Sequence, residues 1–332
     1  MATVGDIGET ALIERLARRV AEAGLPPAPA MDVLLGIGDD AAAWRLDPPA
    51  IETATTDAMV EGVHFRRETS GWADVGWKSW VSNVSDIAAM GCEPQAGLVT
   101  LGLPPELPVA AVDALYDGML EACACYRTAL VGGDVVASSV VFIAVAMTGR
   151  GEAPLLTRAA ARPGDAVAVT GPLGASRGGL RLLEAGAPLD SPHRKTLAAA
   201  HRRPQARPDA ARVLRRHGIR CAMDISDGLL ADLGKLAAAA GTAARVDASA
   251  APAHPALFAE YGDEAQALAL AGGEDYELLF AGPPDAVRSA LAELPGGAIV
   301  GAIAEGTAGS LEITDAGGAP ATISAAGWEH FR

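Results

Sequence analysis

The sequence predicts an α/β (α+β) protein of two similar-sized domains, and three observations carry that prediction. The chain has 332 residues, and domains commonly run about 100–200 residues, so two are expected. Apolar spacings of helical and of strand type are interleaved in both halves instead of being segregated. A turn rich in glycine and proline, Arg150 to Pro154, parts the halves, which sets an N-terminal domain over 1–150 and a C-terminal domain over 151–332.

Each element follows from its local pattern. Residues 8–23 carry Ile13, Leu16 and Val20 at helical spacing and stop at Gly24, ahead of Pro26, Pro27 and Pro29. Residues 33–37 and 51–56 read as short strands, each running into acidic residues. Residues 73–90 form a long helix ended by Gly91, with Pro94 beyond it. A strand over 98–103, a helix over 108–126 and a nearly continuous buried strand over 140–148 complete the first half. In the second half a strand over 166–170 leads into Gly171, Pro172 and Gly174, and a helical stretch runs on to Leu183. Helices are predicted at 209–216, 229–240 and 285–294, and strands at 276–280, 299–303 and 311–314.

Composition narrows the function. Half of the residues are hydrophobic and only 4% are aromatic, so Ala, Val and Leu must fill the core. The 26 Lys and Arg against 41 Asp and Glu give a formal charge of −15. That balance argues against a general nucleic-acid binder and against an anionic membrane surface. The N-terminal helix carries Glu9, Glu14, Arg15, Arg18 and Arg19, unlike a secretory leader, and no run is apolar enough to span a bilayer. A cytoplasmic protein is expected. Cys92, Cys123, Cys125 and Cys221 form no Cys-x-x-Cys pair and are expected as buried free thiols.

The informative feature is where the carboxylates fall. They occur in Gly36-Ile37-Gly38-Asp39-Asp40-Ala41, Thr55-Thr56-Asp57, Asn83-Val84-Ser85-Asp86, Gly132-Gly133-Asp134, Asp224-Ile225-Ser226-Asp227-Gly228 and Gly272-Gly273-Glu274-Asp275-Tyr276-Glu277. Almost every segment ends or follows an apolar run, where an uncompensated charge is costly. Few Lys or Arg neighbour them in sequence, which favours metal ions as the compensating charge. Oxygen-only donors select hard cations such as Mg²⁺, which complete their shell with water and phosphate. Taken singly, each segment has a plainer reading. Gly132-Gly133-Asp134 is also a common turn, and Asp224-x-x-Asp227 also fits a helix cap followed by a first-turn acid. Gly36-x-Gly38-x-x-Ala41 imitates a dinucleotide fingerprint, but Asp39 and Asp40 would repel a pyrophosphate unless a metal intervened. No Walker A loop, protein-kinase signature or Gly-x-Ser-x-Gly nucleophile is present.

Together with Thr56-Asp57-Ala58-Met59-Val60-Glu61-Gly62-Val63-His64-Phe65, Leu156-Thr157-Arg158 and Gly327-Trp328-Glu329-His330-Phe331, these segments resemble the thiamine-monophosphate kinase family, in the family's order and over essentially the whole chain. The resemblance implies ATP-dependent phosphorylation of thiamine monophosphate to thiamine diphosphate. It also implies the two-domain aminoimidazole ribonucleotide synthetase-like fold, with an N-terminal mixed sheet, ATP and several Mg²⁺ ions at the site, and a homodimer formed through the N-terminal sheets. By the same resemblance, Asp40, Thr55, Thr56, Asp57, Asp86, Asp134, Asp224 and Asp227 match metal-binding positions. Tyr116, Gly133, Asp134, Arg158 and Ser226 match nucleotide contacts, and His64, Glu274 and Trp328 match substrate contacts. Val135 departs from the family, which places Thr or Ser after Gly-Gly-Asp. Two other readings stay open at this point: another ATP-dependent enzyme of the same fold, such as an aminoimidazole ribonucleotide or selenophosphate synthetase, or a non-catalytic Mg-nucleotide-binding protein. No Cys precedes Cys92, whereas a selenophosphate synthetase normally carries a reactive Cys or selenocysteine in an N-terminal loop.

Overall fold

The computed structural model describes residues 3, 6, 15, 16, 18–24, 32–35, 43–45 and 51–321. Packing divides the chain into two units, Met1–Ile87 with Cys92–Ala153, and Ala88–Gly91 with Pro154–Arg332.

In the first unit β1 (Asp32–Leu35) and β2 (Ala43–Arg45) form an antiparallel pair. A four-stranded sheet holds β3 (Ile51–Val60), β4 (Glu93–Leu103), β5 (Ala129–Ala137) and β6 (Phe142–Gly151) in the order β3-β6-β4-β5. Only β4 and β5 run parallel. A parallel neighbour needs a crossover connection, and α2 (Val109–Tyr126) supplies it. Before it comes α1 (Trp72–Ala89), buried without a break from Val75 to Ser85. The Trp80 indole of α1 meets β4 at Gly97 and donates its N–H to Thr128 Oγ1 at 2.8 Å. A Cβ on Gly76 would lie 1.9 Å from the Leu115 carbonyl oxygen, and one on Gly118 would lie 1.8 Å from that of Ala73. The two helices therefore touch backbone to backbone, which no larger residue permits.

Strand alternation gives this sheet one helix-covered face and one open face. Ile143, Val145 and Met147 of β6 are buried under the helices. The opposite face carries the cross-strand rows Thr56–Ala146–Leu98–Gly132 and Ala58–Ala144–Thr100–Asp134. Thr56, Ala58, Leu98, Asp134, Val136 and Ala146 are exposed there. The strand expected as continuously buried over 140–148 is thus buried on one side only. The Gly132-Gly133-Asp134 segment, also readable as a turn, lies inside the edge strand β5.

The second unit is built on six strands. They are β7 (Ala166–Val169), β8 (Cys221–Asp224), β9 (Ala243–Asp247), β10 (Leu278–Gly282), β11 (Ala298–Ala304) and β12 (Leu311–Thr314). Their order is β12-β9-β11-β7-β10-β8, with only β12 and β9 parallel. The helices are α3 (Ala175–Glu184), α4 (Pro192–Arg202), α5 (Pro208–Arg216), α6 (Leu229–Ala240), α7 (Pro255–Tyr261), α8 (Ala265–Ala271) and α9 (Pro284–Leu291). Both faces of this sheet are covered. Val167, Val169 and Leu279 pack with Leu229, Leu233 and Leu236 of α6. Ala168 and Phe280 pack with Leu214 of α5 and Val287 of α9. A strand covered on both sides reads as an unbroken apolar run, as β7 and β10 do. Among the described residues no helix is long and apolar enough to cross a membrane. None of the four cysteines is in a disulfide, and Cys92, Cys123 and Cys221 are buried as expected, whereas Cys125, on the outer side of α2, is exposed.

Candidate active site

Each unit gathers part of the expected residues at one place. In the first unit β3 is an edge strand whose free side is met by α1. Asn83 Oδ1 accepts the N–H of Asp57 at 3.1 Å, and the Thr55 hydroxyl donates to Asp86 Oδ2 at 2.6 Å. Asn83 and Asp86 are one helical turn apart, so a single face of α1 serves two positions two residues apart on β3. Thr56 points to the opposite, open face of the sheet. After β3 the chain folds back, with the His64 N–H on the Val60 carbonyl at 2.9 Å and the Val60 N–H donated to His64 Nδ1 at 3.1 Å. The neutral ring then carries its hydrogen on Nε2.

Gly133 and Asp134 lie on β5, the far edge of the sheet from β3. Three inter-strand steps of ~4.8 Å place them about 14 Å from β3, so one sheet does not bring Asp134 beside Asp57. Tyr116 is 4% exposed in the core of the first unit, and burial raises its phenol well above the ordinary range. Its ring is therefore buried within the first unit in this structure. Asp40 and Trp328 lie outside the described residues.

In the second unit two expected segments converge at one end of the sheet, where β7 and β8 end and β10 begins. Asp224 closes β8 at 3% exposure. The Ile225 N–H donates to the Glu277 carbonyl at 2.8 Å, that of Tyr276 to Ile225 at 2.9 Å, and that of Glu274 to Ser226 at 2.8 Å. The Asp224–Gly228 and Gly272–Glu277 segments are thereby laced together. Glu274 and Tyr276 both adopt left-handed backbone, φ 62° and 51°. Such conformations cost non-glycine residues about 1–2 kcal/mol and cluster at functional sites. Thr170, at the end of β7, donates its hydroxyl to Glu277 Oε2 at 2.6 Å.

The compensating charges here differ from the expectation. Asp232 is fully buried, and its Oδ2 accepts the N–H groups of Ser226, Asp227 and Gly228 at 3.1, 2.9 and 3.1 Å. Lys235 pairs with Asp232 Oδ1 at 2.8 Å and also with Asp227. Arg207 reaches Glu277 Oε2 at 3.3 Å, and His201 reaches Glu274 Oε2 at 3.2 Å. Lys235 thus answers Asp227 and Asp232, Arg207 answers Glu277 from a distant segment, and the His201 ring lies against Glu274, partners that sequence proximity does not display. Nor do Asp224 and Asp227 cap the following helix: its N-cap is Gly228, without a side-chain cap. Arg158 sits at the other end of β8, its carbonyl accepting from Cys221 Sγ at 3.5 Å. Four residues of strand put its backbone ~10 Å from Asp224.

Among the described residues no three His, Cys, Asp or Glu side chains gather as a cage for a metal ion. Thr55, Asp57 and Asp86 nevertheless form an oxygen-only set. Mg²⁺ is commonly held by one or two carboxylates with water and phosphate completing the shell. These residues fit a hard cation shared with a phosphate ligand.

Comparison with known proteins identifies the family. Residues 38–151 match AIR synthase related protein, N-terminal domain, and residues 162–314 match the corresponding C-terminal domain. The chain is 38% identical over 252 residues to the thiamine-monophosphate kinase of Aquifex aeolicus, covering 75% of this chain and 81% of that one. Its fold superposes on the crystal structure of thiamine-monophosphate kinase from Stenotrophomonas maltophilia K279a with a TM-score of 0.79 and 36% identity, over 93% and 96% of the two chains. AaThiL complexed with AMPPCP and TMP gives a TM-score of 0.78 at 32% identity, over 98% of each chain. With both halves matched in one continuous order, the chain belongs to the thiamine-monophosphate kinase family.

Proposed function

We propose that this enzyme transfers the γ-phosphoryl group of ATP to the phosphate of thiamine monophosphate, giving thiamine diphosphate and ADP, with Mg²⁺ assistance and as a cytoplasmic homodimer. The observation that carries the reading is the match over 98% of both chains to a protein solved with an ATP analogue and TMP. The acceptor is a phosphate monoester oxygen, already ionised near neutral pH, so no strong general base is required of the protein. Its task is to bring two polyanions together. Two unit charges ~4 Å apart repel by about 4 kcal/mol even at an effective dielectric of ~20.

Asp57 and Asp86, with Thr55, are the residues that would hold Mg²⁺, and Asp40, Thr56, Asp134, Asp224 and Asp227 are further candidates from the family match. An Mg²⁺ ion held there would supply positive charge to offset the phosphates of the two substrates. Asn83 holds the backbone of Asp57 and Asp86 the hydroxyl of Thr55, which fixes this stretch of β3 beside α1. Arg158 and Ser226 would contact the nucleotide, with Gly133 allowing close backbone approach. His64, Glu274 and Trp328 would orient the acceptor. The open sheet face of the first unit, small and largely apolar around Leu98 and Ala146, supports pairing with a second copy. Incubation with ATP, Mg²⁺ and thiamine monophosphate should yield thiamine diphosphate and ADP in equal amounts. Nucleotide binding without either product would sink the assignment.

A further inference from the structure

We propose that His201 is a positioning residue that holds the Glu274 carboxylate in its substrate-facing orientation. This rests on the reading of Glu274 as a substrate contact. His201 lies in the last turn of α4, with its side chain 4% exposed, while that of Glu274 is 30% exposed. One ring nitrogen, Nδ1, is 3.2 Å from Glu274 Oε2 and 3.2 Å from the Ser176 hydroxyl. An ionised carboxylate can only accept, so Nδ1 carries the hydrogen and donates it to Glu274, with Ser176 Oγ as a second acceptor.

The packing behind the ring explains why it holds one place. A Cβ on Gly179 of α3 would lie 2.0 Å from the Leu197 carbonyl oxygen of α4. The two helices therefore meet backbone to backbone, and this brings Ser176, on α3, against His201, on α4. Glu274 is held on its other side by its own N–H, donated to the Ser226 carbonyl at 2.8 Å. Its left-handed backbone, φ 62°, aims the side chain toward α4, not back along the strand. A flexible, half-exposed glutamate is thus tethered at its backbone by one motif segment and at its carboxylate by a buried imidazole. A hydrogen bond to a charged group that orders a ligand-facing side chain lowers the entropy lost on binding.

Two amide replacements separate positioning from bulk. His201→Asn keeps an N–H donor near the Nδ1 position, and His201→Gln moves it toward the Nε2 position. His201→Gln should raise the KM for thiamine monophosphate about tenfold, with the KM for ATP and kcat within about twofold, while His201→Asn stays close to the parent. The same His201→Gln change should add nothing further in a Glu274→Gln background. Equal thiamine monophosphate KM values for the parent, His201→Asn and His201→Gln would overturn the proposal. So would a KM rise common to both variants that tracks a loss of thermal stability, or a further tenfold rise in the Glu274→Gln background. A Glu274→Gln enzyme with unchanged KM for thiamine monophosphate would overturn the substrate-contact reading itself, independently of His201.

Discussion

Asp275 Oδ2 accepts the N–H of Gly174 at 2.8 Å, which fastens the Gly272–Glu277 segment to the start of α3. Burial of the carboxyl group is the main cause that raises its pKa from 3.8 to about 8, with the nearby Glu277 and Glu274 adding to it and the Gly174 hydrogen bond opposing it. In the unfolded chain the group ionises at its ordinary value. Between 3.8 and about 8 the folded state therefore holds the extra proton, and this group's contribution to stability falls as pH rises. Asp275→Asn cannot ionise but can still accept from Gly174. Its melting temperature should decline less than the parent's between about pH 5 and pH 8; parallel curves would refute the shifted carboxyl.

Asp57→Asn and Asp86→Asn should each lower kcat by about a hundredfold or more while far-UV circular dichroism stays unchanged, since only charge is removed from a shared cation site. For Asp86→Asn the Thr55 hydroxyl still finds an acceptor oxygen, so the fold is spared. Near-parental turnover at saturating Mg²⁺ would remove these residues from metal binding.

Asp232→Ala strips three backbone N–H groups and Lys235 of their common acceptor inside a buried site. A loss of about 3–5 kcal/mol in urea unfolding is expected. A loss below about 1 kcal/mol would mean that water replaces the carboxylate.

Gly118→Ala would place a methyl group 1.8 Å from the Ala73 carbonyl oxygen, an overlap relieved only by separating α1 from α2. Destabilisation of about 1–3 kcal/mol or more should follow. Because α1 also carries Asn83 and Asp86, activity should fall with stability. An unaltered melting temperature would disprove the close approach.

Leu98→Glu introduces a charge at a 39% exposed position in the open sheet face. If that face pairs two copies, sedimentation velocity should show a shift from dimer to monomer at micromolar concentration. A persisting dimer would place the interface elsewhere.

The sequence displayed the motifs more clearly than their partners. The spacing over 73–90 predicts α1 within one residue, because its length and its terminal Gly91 are strong local signals. Gly132-Gly133-Asp134 could not be told from a turn, since only the ladder to β4 decides that it is a strand. Asp232 and Lys235 stand three residues apart on a helix, a spacing that suits an acid–base pair, but neither is among the expected site residues, and nothing local says that Asp232 turns back to three upstream amides. The helix carrying His201 is not among the expected elements, although Ser191-Pro192 is a start signal and the Ser191 hydroxyl accepts the Arg194 N–H at 3.4 Å. Its pairing with Glu274, 73 positions further along, depends on the approach of α3 to α4, which no local pattern records.

The three amides gathered on Asp232 also bear on the loop's behaviour in time. Ser226, Asp227 and Gly228 have their hydrogens committed before any ligand arrives, so the loop is ordered when the chain folds and not when substrate binds. Its exchange with deuterated solvent should be slow for a loop and should change little on adding nucleotide. Rigid readiness of this kind leaves ligand affinity free of an ordering cost, and it ties the life of the site to the life of the second unit's fold.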